Sequence, residues 1–225
     1  MHRRQPYKAP AVVAPIFSWT GFYLGGNLSA GWQNGSVTDN FFGVNWSANN
    51  NATFAGGGQV GFNYQFGSFV AGVEGDFDWF ANSNNNSAGV TAFGTTLQGS
   101  DNGRWLTTLT GRIGYSADRV LFYGKGGGAW VGSNNFSATN VATGTSVAFS
   151  NSNTNTGWTA GAGVEWAFTQ NWTARVEYDY VGLSNASFTV PAAFPVVGGD
   201  VFTTNNRNIQ MVTVGVNYLL NWCAY

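Results

Sequence analysis

The sequence predicts an all-β fold: an eight-stranded antiparallel up-and-down barrel that crosses a membrane, with four long outer loops and short turns at the opposite end. Three observations predict it. Eight segments alternate apolar and polar residues with period two, and no helical period appears. The connections between them are alternately short and long. Only 8% of the 225 residues are charged while 16% are aromatic, against roughly 25% charged in an ordinary soluble domain.

The segments justify themselves in order. At about 20–32, Phe22 and Trp32 share one face, and Gly25, Asn27 and Ser29 the other. About 53–66 carries Phe54 and Phe66 against Gly57 and Gly61; about 69–80 carries Phe69 and Trp79 against Gly72, Glu74, Asp76 and Asp78. About 103–116 sets Trp105 and Tyr115 against Arg104, Arg112 and Gly114, and about 120–131 sets Phe122 and Trp130 against Lys125. The clearest pair follows. At about 157–168, Trp158, Ala160, Ala162, Val164, Trp166 and Phe168 oppose Thr159, Gly161, Gly163 and Glu165. At about 171–183, Trp172, Ala174, Val176, Tyr178 and Tyr180 oppose Thr173, Arg175, Glu177 and Asp179. The last segment, about 207–220, has Arg207 and Gly215 on its polar face.

Tight connections are Gly67-Ser68, Ser116–Arg119 and Thr169–Asn171. The long ones, about 33–52, 81–102, 132–156 and 184–206, are rich in Asn, Ser, Thr and Gly, a composition that need not form a packed core. The turn centred near Gln170 sets a register: Phe168 against Trp172, Val164 against Val176, and Glu165 against Arg175. The last pair is expected to be a direct cross-strand ion pair.

Which face meets water decides the class. Eleven charges lie on the polar face: Glu74, Asp76, Asp78, Arg104, Arg112, Lys125, Glu165, Arg175, Glu177, Asp179 and Arg207. The others fall in the tail, loops and turns, none on an apolar face. The polar face is crowded with small residues, which suit a narrow lumen better than a solvated surface. Large aromatics recur near both ends of the apolar face: Phe22, Trp32, Trp79, Trp105, Tyr115, Trp130, Trp158, Phe168, Trp172 and Tyr180 mark two interfacial girdles. An eight-stranded interior is only just filled by side chains and has no room for these rings as well. The apolar face is therefore expected to meet lipid. The charges, apart from Arg207, form a lumen network whose partners are one another.

Other chemistry is not expected. The net charge of −1 gives no footprint for nucleic acid. Gly56–Gly61 fits G-x-G-x-x-G, but strand alternation runs through it, where a dinucleotide site needs a helix to follow. Asn-x-Ser/Thr at Asn45 and Asn51 reads as loop composition. The triplet Glu74, Asp76 and Asp78 is read as ion-paired rather than metal-binding. The single histidine, His2, sits in the tail, and Cys223 is the single cysteine. No catalytic residue, cofactor or metal is assigned.

Residues 1–18 are expected to be a flexible tail, since their basic start leads into an apolar stretch cut by Pro15. Residues 19–220 form the barrel and 221–225 a short extension. The wording of the chain carries a resemblance. "SWTGFYLGGN", "FVAGVEGDFDW", "TGRIGY" followed by "LFYGKGGGAWVG", "AGAGVEWAFTQNWTARVEYDY" and "MVTVGVNYLL" resemble the outer-membrane immunogenic proteins of alphaproteobacteria, small OmpA-like barrels of the porin family. The resemblance runs over about residues 16–220. It implies a barrel in the bacterial outer membrane, in contact with lipid and lipopolysaccharide, inserted by the barrel-assembly machinery and exposed to host or environmental ligands at its outer loops. Family members typically end the last strand on a terminal aromatic; here Leu220 holds that place and "NWCAY" follows. The expected function is a non-enzymatic, structural, surface-exposed barrel with a charge-plugged lumen. A narrow porin for ions or small solutes is the first alternative, and a soluble ligand-binding β-barrel the second.

Overall fold

The computed structural model describes residues 17–39, 45–47, 52–81, 89–92, 95–101, 104–133, 136–140, 146–149, 154–184, 186–189 and 201–220. Side chains are described for 17–32, 52–81, 105–132, 154–184 and 208–220. The tail before residue 17, the 221–225 extension and the side chains of Arg104 and Arg207 lie outside the described residues.

Eight long strands make the wall: β1 (Gly21–Asp39), β2 (Ala52–Phe66), β3 (Phe69–Phe80), β4 (Arg104–Ala117), β5 (Val120–Ser133), β6 (Thr154–Ala167), β7 (Trp172–Leu183) and β8 (Val201–Leu220). Each pairs antiparallel with the next, and β8 returns to β1, from Phe22 opposite Leu220 to Asp39 opposite Phe202. Closure leaves the wall without an edge, so backbone donors and acceptors are satisfied within it. No helix of the described residues is long and apolar enough to cross a membrane; the strands do the crossing.

The tight turns follow their residues. The first loop residue of each two-residue hairpin has positive φ: Gly67 at 64° and Asp118 at 54°. Glycine takes that conformation freely, and aspartate is among the few other residues that tolerate it. Across the β6–β7 turn, Val164 lies opposite Val176 and Glu165 opposite Arg175. The Phe168 N–H donates to the Trp172 carbonyl at 3.2 Å. The hairpin register read from the sequence is therefore the register of the structure.

The long loops differ from the expectation. Strands β1 and β8 run well past the alternating segments, and short strands Asn45–Ser47 and Ala186–Thr189 extend the wall. Gly89–Ala92, Thr95–Asp101, Phe136–Asn140 and Ser146–Phe149 form a separate four-stranded sheet from the second and third long loops. Alternation records a difference between two solvents. Where no such difference acts, backbone pairing continues without an alternating pattern in the sequence.

The faces sort as period two demands. Outward residues Leu28, Phe54, Ile113 and Val176 are 56–68% exposed, whereas Glu165 and Arg175 are each 2% exposed. A belt of bare aliphatics and aromatics around a charge-filled interior is a water-soluble protein turned inside out; lipid is the solvent it fits. Aromatic contacts tie the belt at both ends. At the turn end Phe69 meets Tyr115 edge-on at 5.8 Å and Trp172 meets Tyr218 at 5.1 Å. At the loop end Trp158 packs on Tyr180 at 5.4 Å, and Trp79 lies opposite Trp105 in register. Phe22, Trp32, Trp130 and Phe168 also face outward.

Candidate functional site

The interior is built in three layers. Sequence parity places small and polar residues inside; what it does not announce is that the inward face turns apolar at both strand ends. At the turn end Trp19, Val70, Leu121, Ala167 and Leu219 are buried together with Phe17. The N-terminal segment is pinned there: the Trp19 N–H donates to Gln65 Oε1 at 2.8 Å, its indole N–H donates to the Asp118 carbonyl at 3.2 Å, and Arg119 lies over the Phe17 ring. At the loop end Phe80, Leu106, Val131, Val181, Leu183, Ile209 and Met211 form a second apolar layer. The charged layer sits between them.

Glycines make room for the charges. A Cβ on Gly57 would strike Asp78, on Gly161 Asp179, on Gly72 Asn63 and on Gly25 Asn217. Each of these glycines lies directly opposite the residue it accommodates. Tyr23 and Tyr123 lie against Gly61 and Gly163 in the same way. The narrow lumen thus pairs a bulky inward residue with a cross-strand residue that has no side chain.

Glu74, with no side-chain exposure, is the hub. Arg175 Nη1 reaches it at 2.6 Å, Arg112 Nη1 at 3.3 Å and Lys125 Nζ at 3.5 Å, while the Tyr23 hydroxyl donates to it at 2.7 Å. Arg112 also pairs with Glu165 at 2.7 Å, and its guanidinium lies 4.2 Å from the Tyr123 ring centroid and 5.5 Å from that of Tyr23. Lys125 sits 2.6 Å from Glu177 and within 3.6 Å of Asp76 and Asp179. Arg175 holds Asp76 at 3.0 Å and approaches Glu177 at 3.8 Å. Neutral donors complete the layer. Tyr123 donates to Glu177, Thr108 to Asp76, and Asn217 and Thr173 to Glu165, while a relay of amides runs from Asn27 through Gln59 to Asn217. Charges buried this deeply are tolerable only when paired and hydrogen-bonded.

One expectation is corrected. Glu165 and Arg175 are cross-strand neighbours on the inward face, yet Arg175 does not bond to Glu165. Its long side chain crosses the lumen to Glu74 and Asp76 on β3, and Glu165 takes Arg112, Thr173 and Asn217 instead. In a closed narrow barrel the far wall lies within reach of a long side chain, and the Glu74 and Asp76 carboxylates on β3 draw the guanidinium more than the one beside it.

Sequence reasoning passed over Tyr23, Tyr123, Gln59 and Asn217. Their parity was the available signal: each shares the face of the inward residues on its strand. Glu74, Asp76, Asp78, Arg112, Lys125, Glu165, Arg175, Glu177 and Asp179 all lie in the interior; Arg104 stands outside the described side chains.

The profile of the outer membrane protein β-barrel domain matches residues 12–219. The 31 kDa outer-membrane immunogenic protein of Brucella melitensis is 32% identical over 226 aligned residues, covering 95% of this chain and 89% of that one. The 22 kDa outer membrane protein of Rhizobium leguminosarum is 33% identical, covering 79% of this chain and 71% of that one. Among solved structures, the outer membrane protein OprG of Pseudomonas aeruginosa aligns with a TM-score of 0.50 at 10% identity, covering 89% of this chain and 97% of that one. That likeness is one of fold alone.

Proposed function

Because the chain belongs to the outer membrane protein β-barrel family, we propose that it is a non-enzymatic, structural and surface-exposed barrel whose lumen is plugged by its own ion pairs. Its place is the bacterial outer membrane, the compartment named for its relatives, which sets aside a soluble ligand-binding barrel. The observation that carries the plug is the layering. A network centred on the fully buried Glu74 is covered by apolar side chains on both sides. A permeating ion would have to part these pairs without water to replace them. A substrate meets the same two apolar covers, which supports the non-enzymatic reading. On this reading the partners are lipid and lipopolysaccharide at the apolar belt, the barrel-assembly machinery, and host or environmental ligands at the outer loops.

Planar-bilayer recording of the refolded chain tests the plug. The expected record has no steady large steps. Replacing Glu74, Asp76, Arg112 and Lys125 together by neutral residues should raise ion flow. Large, regular openings from the unmodified chain would overturn the plug and establish the narrow-porin alternative.

A further inference from the structure

The apolar belt is not convex all the way round. On its outer face, between β4 and β8, an open groove of about 710 Å³ runs across the wall. Its floor is low because Gly124 on β5 and Ala162 on β6, directly opposed in register, carry almost no side chain. Ile113 and Phe122 wall it on one side, Val176 and Tyr178 on the other, and all four are exposed. The groove is also inclined. Barrel strands tilt by roughly 35–45°, so cross-strand neighbours climb through the membrane from one strand to the next. Tyr115, Phe122, Val164 and Val176 are successive neighbours on β4, β5, β6 and β7. Tyr115 belongs to the turn-end girdle, where it meets Phe69. Val176 stands four residues beyond Trp172, the girdle residue of its own strand, and that is about 13 Å along a strand rising roughly 3.3 Å per residue. The groove therefore starts at the turn-side girdle beside Phe122 and ends near the centre of a belt about 25 Å tall.

That path, from girdle to mid-membrane, is the path of one lipid chain in one leaflet. The groove is continuous with the lipid-facing belt, so the membrane itself supplies the occupant; an unfilled groove would leave its lining without contacts. A chain lying in it touches the floor and both walls, whereas on the convex remainder of the belt it touches one side. Dispersion adds with each such contact. A cavity of about 150 Å³ holds a benzene, so this groove takes a run of methylenes rather than a lone methyl group. We infer that the groove seats one acyl chain of a phospholipid in the turn-side leaflet, its ester end level with Phe122 and its methyl end beside Val176. The short turns of outer-membrane barrels face the periplasm, and the leaflet on that side is phospholipid. The inference deepens the lipid partnership proposed above and rests on the belt facing lipid.

The full chain is refolded into phosphatidylcholine vesicles containing a phosphatidylethanolamine whose acyl chain carries a diazirine near its methyl end. After illumination, adducts are mapped by peptide mass spectrometry. Val73 on β3 is the internal reference. It stands four residues beyond the girdle residue Phe69, is 57% exposed against 56% for Val176, and does not line the groove. Adducts at Val176 should exceed those at Val73 several-fold. Gly124→Leu combined with Ala162→Leu fills the floor and should bring the two level. Position 124 has room for the change, since a Cβ there would meet nothing nearer than 3.7 Å. Gly75→Leu, at an outward position of β3 away from the groove, should leave the excess in place. The unmodified chain decides by itself: equal adducts at the two valines would overturn the inference. Fewer at Val176 than at Val73 would overturn it by placing a second barrel over the groove. An excess that survives filling of the floor would do so by placing the chain elsewhere. Loss of the excess on adding lipopolysaccharide would remove the phospholipid and give the groove to a lipopolysaccharide chain. Adducts at neither valine would overturn the lipid-facing belt, and the groove with it.

Discussion

Replacing Arg175 by methionine removes the side chain that ties β7 to β3 across the lumen. Two ion-paired contacts disappear, to Glu74 at 2.6 Å and Asp76 at 3.0 Å, together with the longer approach to Glu177. Arg175 is 2% exposed, so water does not replace it. Breaking a buried pair by removing one partner typically costs about 3–5 kcal/mol, most of it the stranding of the other charge. Glu74 retains Arg112, Lys125 and Tyr23, which places the expected loss near the lower figure. The paired change Arg175→Met with Glu74→Gln removes the stranded charge and should recover a third or more of the loss. Arg175→Met with Glu165→Leu should recover little, although those residues are directly opposed across the hairpin. It leaves the Glu74 charge unrelieved and also takes from Arg112 its shorter ion pair, at 2.7 Å, leaving only Glu74 at 3.3 Å. The assay is equilibrium urea unfolding in detergent or lipid vesicles, followed by tryptophan fluorescence, run as two double-mutant cycles; contacting residues couple by about 0.5–3 kcal/mol. Coupling larger for Glu165 than for Glu74 would refute the cross-lumen assignment and restore the direct cross-strand pair.

Three further outcomes are expected. Val176 faces outward at 56% exposure and Glu177 inward at 2%; Val176→Arg should cost roughly 2–4 kcal/mol in bilayers, a loss measured by unfolding in liposomes and absent in detergents that let the arginine reach water. Gly163→Ala should cost about 1–3 kcal/mol through overpacking, because its Cβ would come within 2.7 Å of the Tyr123 hydroxyl, whereas Gly126→Ala, whose nearest neighbour would be 3.6 Å away, should cost nothing; equal midpoints for the two would show the glycine pairing to be incidental. Trp19→Ala should lower stability by about 3–5 kcal/mol and speed protease cleavage before residue 20, since the indole pins the N-terminal segment under the turn-end layer; an unchanged cleavage rate would mean the segment is held elsewhere.

The strand count, the assignment of faces and the hairpin register were legible in the residues themselves. A strand has a side-chain period of two, and a barrel wall separates two solvents, so alternation such as Trp158 to Phe168 against Thr159 to Glu165 reports directly on topology. A one-residue slip at Gln170 would have put Arg175 opposite an outward residue, and only slips by an even number of residues keep every charge inside. The ends of the strands were not legible: outside the belt no contrast of solvents writes a pattern, and the four-stranded sheet of the outer loops left no alternation to read. Nor was the wiring of the lumen. Period two says that Glu74, Arg112 and Arg175 point inward, but which charge meets which depends on closure, on strand stagger around the wall, and on how far a guanidinium reaches across a narrow bore. Those are distances between residues up to 101 apart in sequence, as for Arg175 and Glu74. Only closure of β8 on β1 brings them within hydrogen-bond range, because a sheet's far side becomes a neighbour when the sheet becomes a barrel.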